Sequence, residues 1–412
     1  MKINLILFSS ELHDKPNILE ARSYLLDNLR AFCDTNIINA GNYTSIIEPS
    51  DKDYTPNALT VLFIASGGTE EMFLNLFPFI KQPVIILSDG YHNSFAAACE
   101  ISTWLEDNNI EHTVINVPTE IDKNYFSELN NQLQDIYQNI LIQHKLKGEK
   151  IGLIGGSSSW LIASQVDKNK IAEKYNITFI DIKNTELSEL YFSIKNENKD
   201  YSNNPLLLKY RNLLAKDRTE EDLINAIIVY YALKKICATY SLNALTIKCF
   251  DLIKLCNVTS CLALAILNDE GIVAGCEGDI PSLITMLLIQ KGGGLGFLVN
   301  STSADRRNLT MDFSHCSVPL SMTENFKLTS HFESSLSIGI KGVLPLGKYS
   351  LVKLAGQNLD KHIFCTGSVI SIPTTPMRCR TQVRFKFNST EDFDAFMASR
   401  VGNHVILFKR RD

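Results

Sequence analysis

Gly275-Cys276-Glu277-Gly278-Asp279-Ile280-Pro281 sets two carboxylates two residues apart, between the strand-like Gly271-Ile272-Val273-Ala274 and an apolar run, 282–289, that reads as a helix. A carboxylate pair at a strand-to-helix junction can ligate a hard cation or serve as acid and base. Asp279 also has a plainer reading, because Asp-Ile-Pro is a good helix start. Two distant histidines could join the pair. Ser314-His315-Cys316 and Asn403-His404-Val405 surround each ring with small or polar neighbours near a predicted strand. A single histidine of this kind is more often a satisfied polar residue than a ligand. His331-Phe332-Glu333 is read as strand, which puts His331 and Glu333 on one face. Arg380, in Cys379-Arg380-Thr381-Gln382, could grip a polyol or an anionic group. The loops Ser66-Gly67-Gly68-Thr69 and Gly155-Gly156-Ser157-Ser158-Ser159 each follow a strand, where backbone N–H groups can hold an anion. Neither has the ending of a P-loop or the spacing of a dinucleotide fingerprint, so ordinary tight turns explain them as well.

The elements that must position these residues fall into three regimes. Residues 1–148 alternate short β-branched runs with helix-like segments. Val61-Leu62-Phe63-Ile64-Ala65, Val84-Ile85-Ile86-Leu87 and His112-Thr113-Val114-Ile115-Asn116-Val117 are predicted strands, and 93–106 a helix. Buried strands alternating with helices argue for a parallel α/β sheet, whose ligands sit beyond the carboxyl ends of its strands. A charged linker is expected at 144–150. A second α/β regime spans 149–300, with a strand at 151–154 and a helix capped by Thr219. The segment 196–205 is polar and reads as a surface loop. Residues 301–412 carry closely punctuated strands at 337–344, 349–354, 381–387 and 404–408, which suggests a mostly β, barrel-like module. The expected fold class is therefore α/β, with two parallel-sheet Rossmann-like α/β domains followed by a mostly β, barrel-like C-terminal domain.

Composition narrows the function classes. The chain has 412 residues, 45% hydrophobic and 21% charged, with a net charge of −5 and a pI near 6.0. An acidic balance disfavours sequence-independent nucleic-acid binding, which needs clustered Lys and Arg to neutralise phosphates. The opening run Ile3–Phe8 is too short for a signal peptide and reads as a buried strand. No run approaches the roughly 18 uninterrupted apolar residues of a membrane span. Ten cysteines without a Cys-x2-Cys pair argue against a structural zinc site. They read as reduced, intracellular core residues.

Ala274-Gly275-Cys276-Glu277-Gly278-Asp279 resembles the Gly-x-Glu-Gly-Asp segment of arabinose isomerases. Ser314-His315-Cys316 resembles that family's Ser-His-Met stretch, and Asn403-His404-Val405-Ile406-Leu407-Phe408 its carboxy-terminal His-His-Thr-x-Phe stretch. The segment 88–100, with His92-Asn93-Ser94, resembles its first α/β domain. Order and approximate spacing match, over nearly the whole chain. The cysteine-flanked Cys-Glu-Gly-Asp, His-Cys and Cys-Arg-Thr-Gln patterns are most similar to a fucose isomerase-like branch of the L-fucose/L-arabinose isomerase family.

The resemblance implies a metal-dependent aldose–ketose isomerase acting on a free or modified monosaccharide through an enediol. It implies Mn2+ or another divalent cation held by Glu277, Asn300, His315 and His404, with Glu277 also an acid/base. Phe297-Leu298-Val299-Asn300 departs from the family, which has a carboxylate at the last position. Asn300 can ligate but cannot shuttle a proton, so Asp279 or Glu333 is the candidate replacement. His92, Asn93, Arg380 and His331 are the candidate sugar contacts. The resemblance further implies a cytoplasmic homo-oligomer (trimer or hexamer); no nucleic-acid or membrane partner is expected from the charge balance and the short apolar runs. The missing carboxylate keeps open a sugar epimerase or lyase, and a non-catalytic sugar-binding protein.

Overall fold

The computed structural model describes residues 1–10, 22–56, 58–110, 112–118, 125–197, 200–399 and 401–409, leaving aside the side chains of 135 and 137–144. The chain divides into two compact units, Met1–Ile142 and Gln143–Asp412.

The first unit is built on a parallel sheet. Its strands are β1 (Lys2–Phe8), β2 (Asp34–Ile38), β3 (Leu59–Ile64), β4 (Val84–Ser88) and β5 (His112–Asn116), in the order β2-β1-β3-β4-β5. β1 lies inside the sheet, which accounts for the apolar run near the amino terminus. Side chains alternate across a strand, so each apolar run feeds two cores. Ile3, Leu5, Val61, Phe63, Ile85 and Leu87 pack on one face. Ile6, Phe8, Leu62, Ile64, Val84 and Ile86 pack on the other. Every residue of β3 and β4 is buried, as expected for strands covered on both faces. Helix α1 (Ser94–Asp107) follows the turn after β4.

The second unit joins a parallel sheet to a closed barrel. The sheet holds β6 (Lys150–Ile154), β7 (Thr178–Ile182), β8 (Ala244–Ile247) and β9 (Val273–Gly275), in the order β9-β8-β6-β7. The segment 144–150 contains the end of helix Tyr125–Leu146, a short turn and the start of β6. Helix α2 (Glu220–Tyr240) begins at Thr219, whose hydroxyl accepts from Asp222 N–H while Asp222 accepts from Thr219 N–H. α2 is long and apolar enough to cross a membrane by composition. Its Leu223, Ala226, Ile227, Leu233 and Ile236 are instead buried in the core. Within 196–205, helix Asn184–Asn196 ends and helix Pro205–Tyr210 begins; residues 198 and 199 lie outside the described residues.

The barrel closes six antiparallel strands. They are β10 (Gly296–Asp305), β11 (Thr310–His315), β12 (Gly347–Ala355), β13 (Lys361–Ser371), β14 (Thr381–Phe387) and β15 (His404–Lys409), in the cyclic order β10-β11-β14-β13-β12-β15. β10 runs across residue 300, so the barrel draws its first strand from the expected central regime. Helix α3 (Ile280–Lys291) links β9 to β10 and is capped at its end by Gly292. Leu245 and Ile247 of the sheet share one core with Phe297, Phe313, Leu351, Phe385 and Leu407 of the barrel. The fold class is thus mixed α/β, with parallel sheets and a closed antiparallel barrel. All ten cysteines are free, and seven are buried.

Candidate metal centre

Glu277 sits where β9 must turn into α3. The turn is made by consecutive left-handed residues, Glu277 at φ 60° and Gly278 at φ 64°. Gly278 N–H donates to Ile247 O at 3.0 Å, which ties the turn to the end of β8. Position 278 must be glycine. A Cβ there would stand 2.5 Å from Gly156 O and 3.0 Å from Ser158 N, both backbone atoms. Glu277 has no such licence, and a non-glycine residue held in this region points to a functional constraint.

The turn aims the Glu277 carboxylate at two histidines. His315 ends β11 and His404 begins β15. Glu277 Oε1 lies 3.5 Å from His315 Nε2, and Oε2 lies 3.6 Å from His404 Nε2. The three ligand atoms lie within 4.8 Å of one another. Each ring is held from behind through its other nitrogen. His315 Nδ1 meets Ser317 Oγ at 2.9 Å, and His404 Nδ1 donates to Asp279 Oδ2 at 2.8 Å. Both rings are buried, and Glu277 keeps 14% of its side chain exposed.

This arrangement fits a cation. Donors about 2.1 Å from a divalent ion stand about 3.0–3.4 Å apart, for octahedral or tetrahedral geometry. The observed 3.5 and 3.6 Å are slightly longer than that, and too long for good hydrogen bonds. His404 Nε2 is fully buried and has no hydrogen-bond partner among the described residues. Such an atom is costly unless something else satisfies it. Electrostatics agree. Burial by itself would raise the Glu277 carboxyl, but His315 and His404 reverse this and hold it well below the usual carboxylate range. Burial opposes protonation of His404, yet Asp279 and Glu277 overcome it and push the ring's pKa up. The buried Glu277, His315 and His404 can therefore hold a metal ion.

The other expected site residues are placed as follows. Asp279 is the N-cap of α3; its Oδ1 accepts from Ser282 N–H at 2.9 Å. It is fully buried, and burial, which favours protonation, is outweighed by Lys353 and His404, so it stays charged. It thus stands behind His404, and its place as the N-cap of α3 corresponds to the helix-start reading. Asn300 pairs with His404 and Ser314 in the barrel register. Its Oδ1 accepts from Asn403 Nδ2 at 2.7 Å, so that lone pair is already engaged. The expected strand at 331–333 is a turn instead, where Ser335 N–H donates to His331 O at 2.9 Å. His331 and Glu333 therefore do not share a strand face. Both remain within electrostatic reach of the centre. Partial burial and the charge of Glu277 raise the Glu333 carboxyl, against the pull of His315. Arg380 spends its Nε and Nη2 on Ser330, at 2.8 and 2.9 Å, and lies over the Phe332 ring. It braces the 330–333 turn.

His92 and Asn93 belong to the first unit, in the exposed turn between β4 and α1. They are consecutive left-handed residues at φ 50° and 59°, and His92 O accepts from Gly67 N–H at 2.7 Å. Sequence reasoning missed Ser317, and also Ser164 and Lys353, which both donate to Asp279 Oδ2. Lys353 left one trace: a lysine inside the apolar strand run Leu351-Val352-Lys353-Leu354. No protein-family model matches the chain, and no curated protein matches it.

Proposed function

We propose that the chain is a divalent-metal-dependent sugar isomerase that converts an aldose to its ketose, with Mn2+ as the resident ion. The observation that carries this is the convergence of the half-buried Glu277 on the buried His315 and His404, with His404 Nε2 unpartnered among the described residues. A carboxylate with two imidazoles suits a divalent transition metal, and the resemblance points to Mn2+ among them. The ordered resemblance of the three segments to fucose and arabinose isomerases supplies the reaction class. When bound, a divalent cation stabilises the negative charge that gathers on two adjacent sugar oxygens during the reaction.

The chain's own residues supply the rest. The proton on C2 leaves and one returns to C1, while a hydroxyl proton moves between the neighbouring oxygens, so the reaction is redox-neutral. Glu277, held as a carboxylate, suits ligation, and its acid/base role is proposed from the resemblance. Glu333, with its carboxyl raised, suits the complementary acid role that Asn300 cannot take. His331 and Arg380 shape the adjoining turn, and His92 and Asn93 are the proposed sugar contacts of the first unit. The same resemblance supports a cytoplasmic homo-oligomer, trimer or hexamer.

The test combines metal analysis of the purified protein with a panel of aldoses incubated in deuterated water. Ketose formation with deuterium at the former aldehyde carbon is expected, with tight Mn2+, and Glu277→Gln should abolish both. Turnover unaffected by Glu277→Gln sinks the assignment. Asparagine at 300, which cannot shuttle a proton, motivates one second reading, an epimerase or lyase on the same site. That reading predicts exchange at C2 without ketose, or cleavage products. Ligand-induced stabilisation with no turnover of any sugar points to a non-catalytic sugar-binding protein.

A further inference from the structure

Asp279 caps α3 at greater expense than a cap requires. An N-cap needs one acceptor, and asparagine serves about as well as aspartate. The Asp279 side chain is 0% exposed, and burying a carboxylate is expensive unless a counter-charge is buried with it. That counter-charge is Lys353 in β12, 1% exposed, with Nζ 2.9 Å from Asp279 Oδ2 and 2.9 Å from Ser282 Oγ. Capping uses only Asp279 Oδ1. The cost attaches to Oδ2, which accepts from Lys353, from Ser164 Oγ at 3.2 Å and from His404 Nδ1 at 2.8 Å. β12 also pairs with β15, the strand His404 begins, through Val352 and Ile406.

A carboxylate can only accept, so the neutral ring must carry its proton on Nδ1 and turn a bare Nε2 toward Glu277. An asparagine could offer the ring either its oxygen or its NH2 and leave both tautomers open. His315 shows the cheaper alternative. Its partner is the Ser317 hydroxyl, which can donate or accept and so fixes no tautomer.

We propose that the buried Asp279–Lys353 pair is a positioning device for the metal centre. The carboxylate fixes the tautomer and direction of the His404 ring. Lys353 is the counter-ion that allows a carboxylate, rather than an amide, to stand there. This rests on the metal-site reading above. It makes His404 the pre-set ligand and His315 the adaptable one.

The test compares the full-length parent with the neutral double variant Asp279→Asn/Lys353→Met. Mn2+ affinity is read by calorimetry, and the thermal midpoint of the metal-free protein by circular dichroism. A folded double variant with Mn2+ affinity reduced about 10- to 100-fold is expected, the usual size of an outer-shell effect. Unchanged Mn2+ affinity, with or without a change in midpoint, overturns the proposal and leaves the metal centre standing. A parent that binds no Mn2+ overturns the metal reading and this proposal together. A second measurement needs no variant that must fold without the pair. Nitrogen-15 histidine spectra of the metal-free parent, taken at alkaline pH with His404→Gln as the assignment control, should show His404 protonated on Nδ1. A ring protonated on Nε2 overturns the proposal.

Discussion

Gly278 and Gly156 face each other across the turn that carries Glu277, and both are left-handed, at φ 64° and 77°. A methyl group at 156 meets nothing within 4 Å, whereas one at 278 meets backbone at 2.5 Å. Gly156→Ala should therefore cost only the backbone penalty, about 1 kcal/mol. Gly278→Ala should cost about 2–4 kcal/mol, because a backbone clash is added to the same penalty. Urea unfolding of the two variants checks this, and equal losses would contradict the geometry. His331 gives a second residue-scale expectation. Burial and the charges of His315 and Arg380 bring its pKa down from 6.5 to about 4. The unfolded chain thus takes up the proton first as pH falls. Its contribution to stability is full above about pH 6.5 and is lost progressively toward pH 4, by up to about 3 kcal/mol in total. His331→Asn should flatten the dependence of unfolding free energy on pH across that window. An unaltered slope would show that the ring does not stay neutral in the folded state.

Among the elements, α2 tests local encoding most directly. Its capping box, Thr219 with Asp222, pairs two groups that the sequence places three residues apart. Thr219→Ala should cost about 1 kcal/mol, measured as a fall in thermal midpoint, and a neutral result would mean the helix start is held by packing alone. That cap was legible because its physics is local. So were β3 and β4, whose unbroken apolar runs match strands buried on both faces, and the strand 381–387, which coincides with β14. The strand expected at 331–333 is a turn. His331 Nδ1 meets Ser334 Oγ at 3.0 Å, and a serine-rich stretch offers the backbone turn partners that a strand lacks. β10 was read as the end of the central regime, because Phe297-Leu298-Val299 is equally good as a sheet strand or a barrel strand. Glu277, His315 and His404 were found as candidates by residue type and order. The close approach that demands glycine at 278, beside the left-handed Glu277, could not be seen, since the backbone it packs against, 156–158, lies more than a hundred residues earlier. Asp279 and Lys353 are separated by 74 residues, and only the closing of the barrel makes them partners.

At the scale of the whole molecule, the division into two units separates metal holding from the proposed sugar contacts. Glu277, His315 and His404, with Asp279, Lys353, Ser164 and Ser317 behind them, all lie within Gln143–Asp412. That unit has its own core, which runs from the sheet through α2 into the barrel. A fragment starting at Gln143 is therefore expected to fold cooperatively, because every member of that core lies within it. It should bind Mn2+ with an affinity within about threefold of the full chain, or about 0.7 kcal/mol. His92 and Asn93 lie in the unit that the fragment lacks. If they grip the sugar, the fragment should keep the metal and lose sugar turnover, since binding energy from non-reacting parts of a substrate is what orients it for reaction. Calorimetry with Mn2+ and the same aldose panel separate the outcomes. A fragment that keeps both metal and turnover removes His92 and Asn93 from the site. A folded fragment that loses the metal shows that the first unit supplies a ligand or a support that Glu277, His315 and His404 do not provide by themselves.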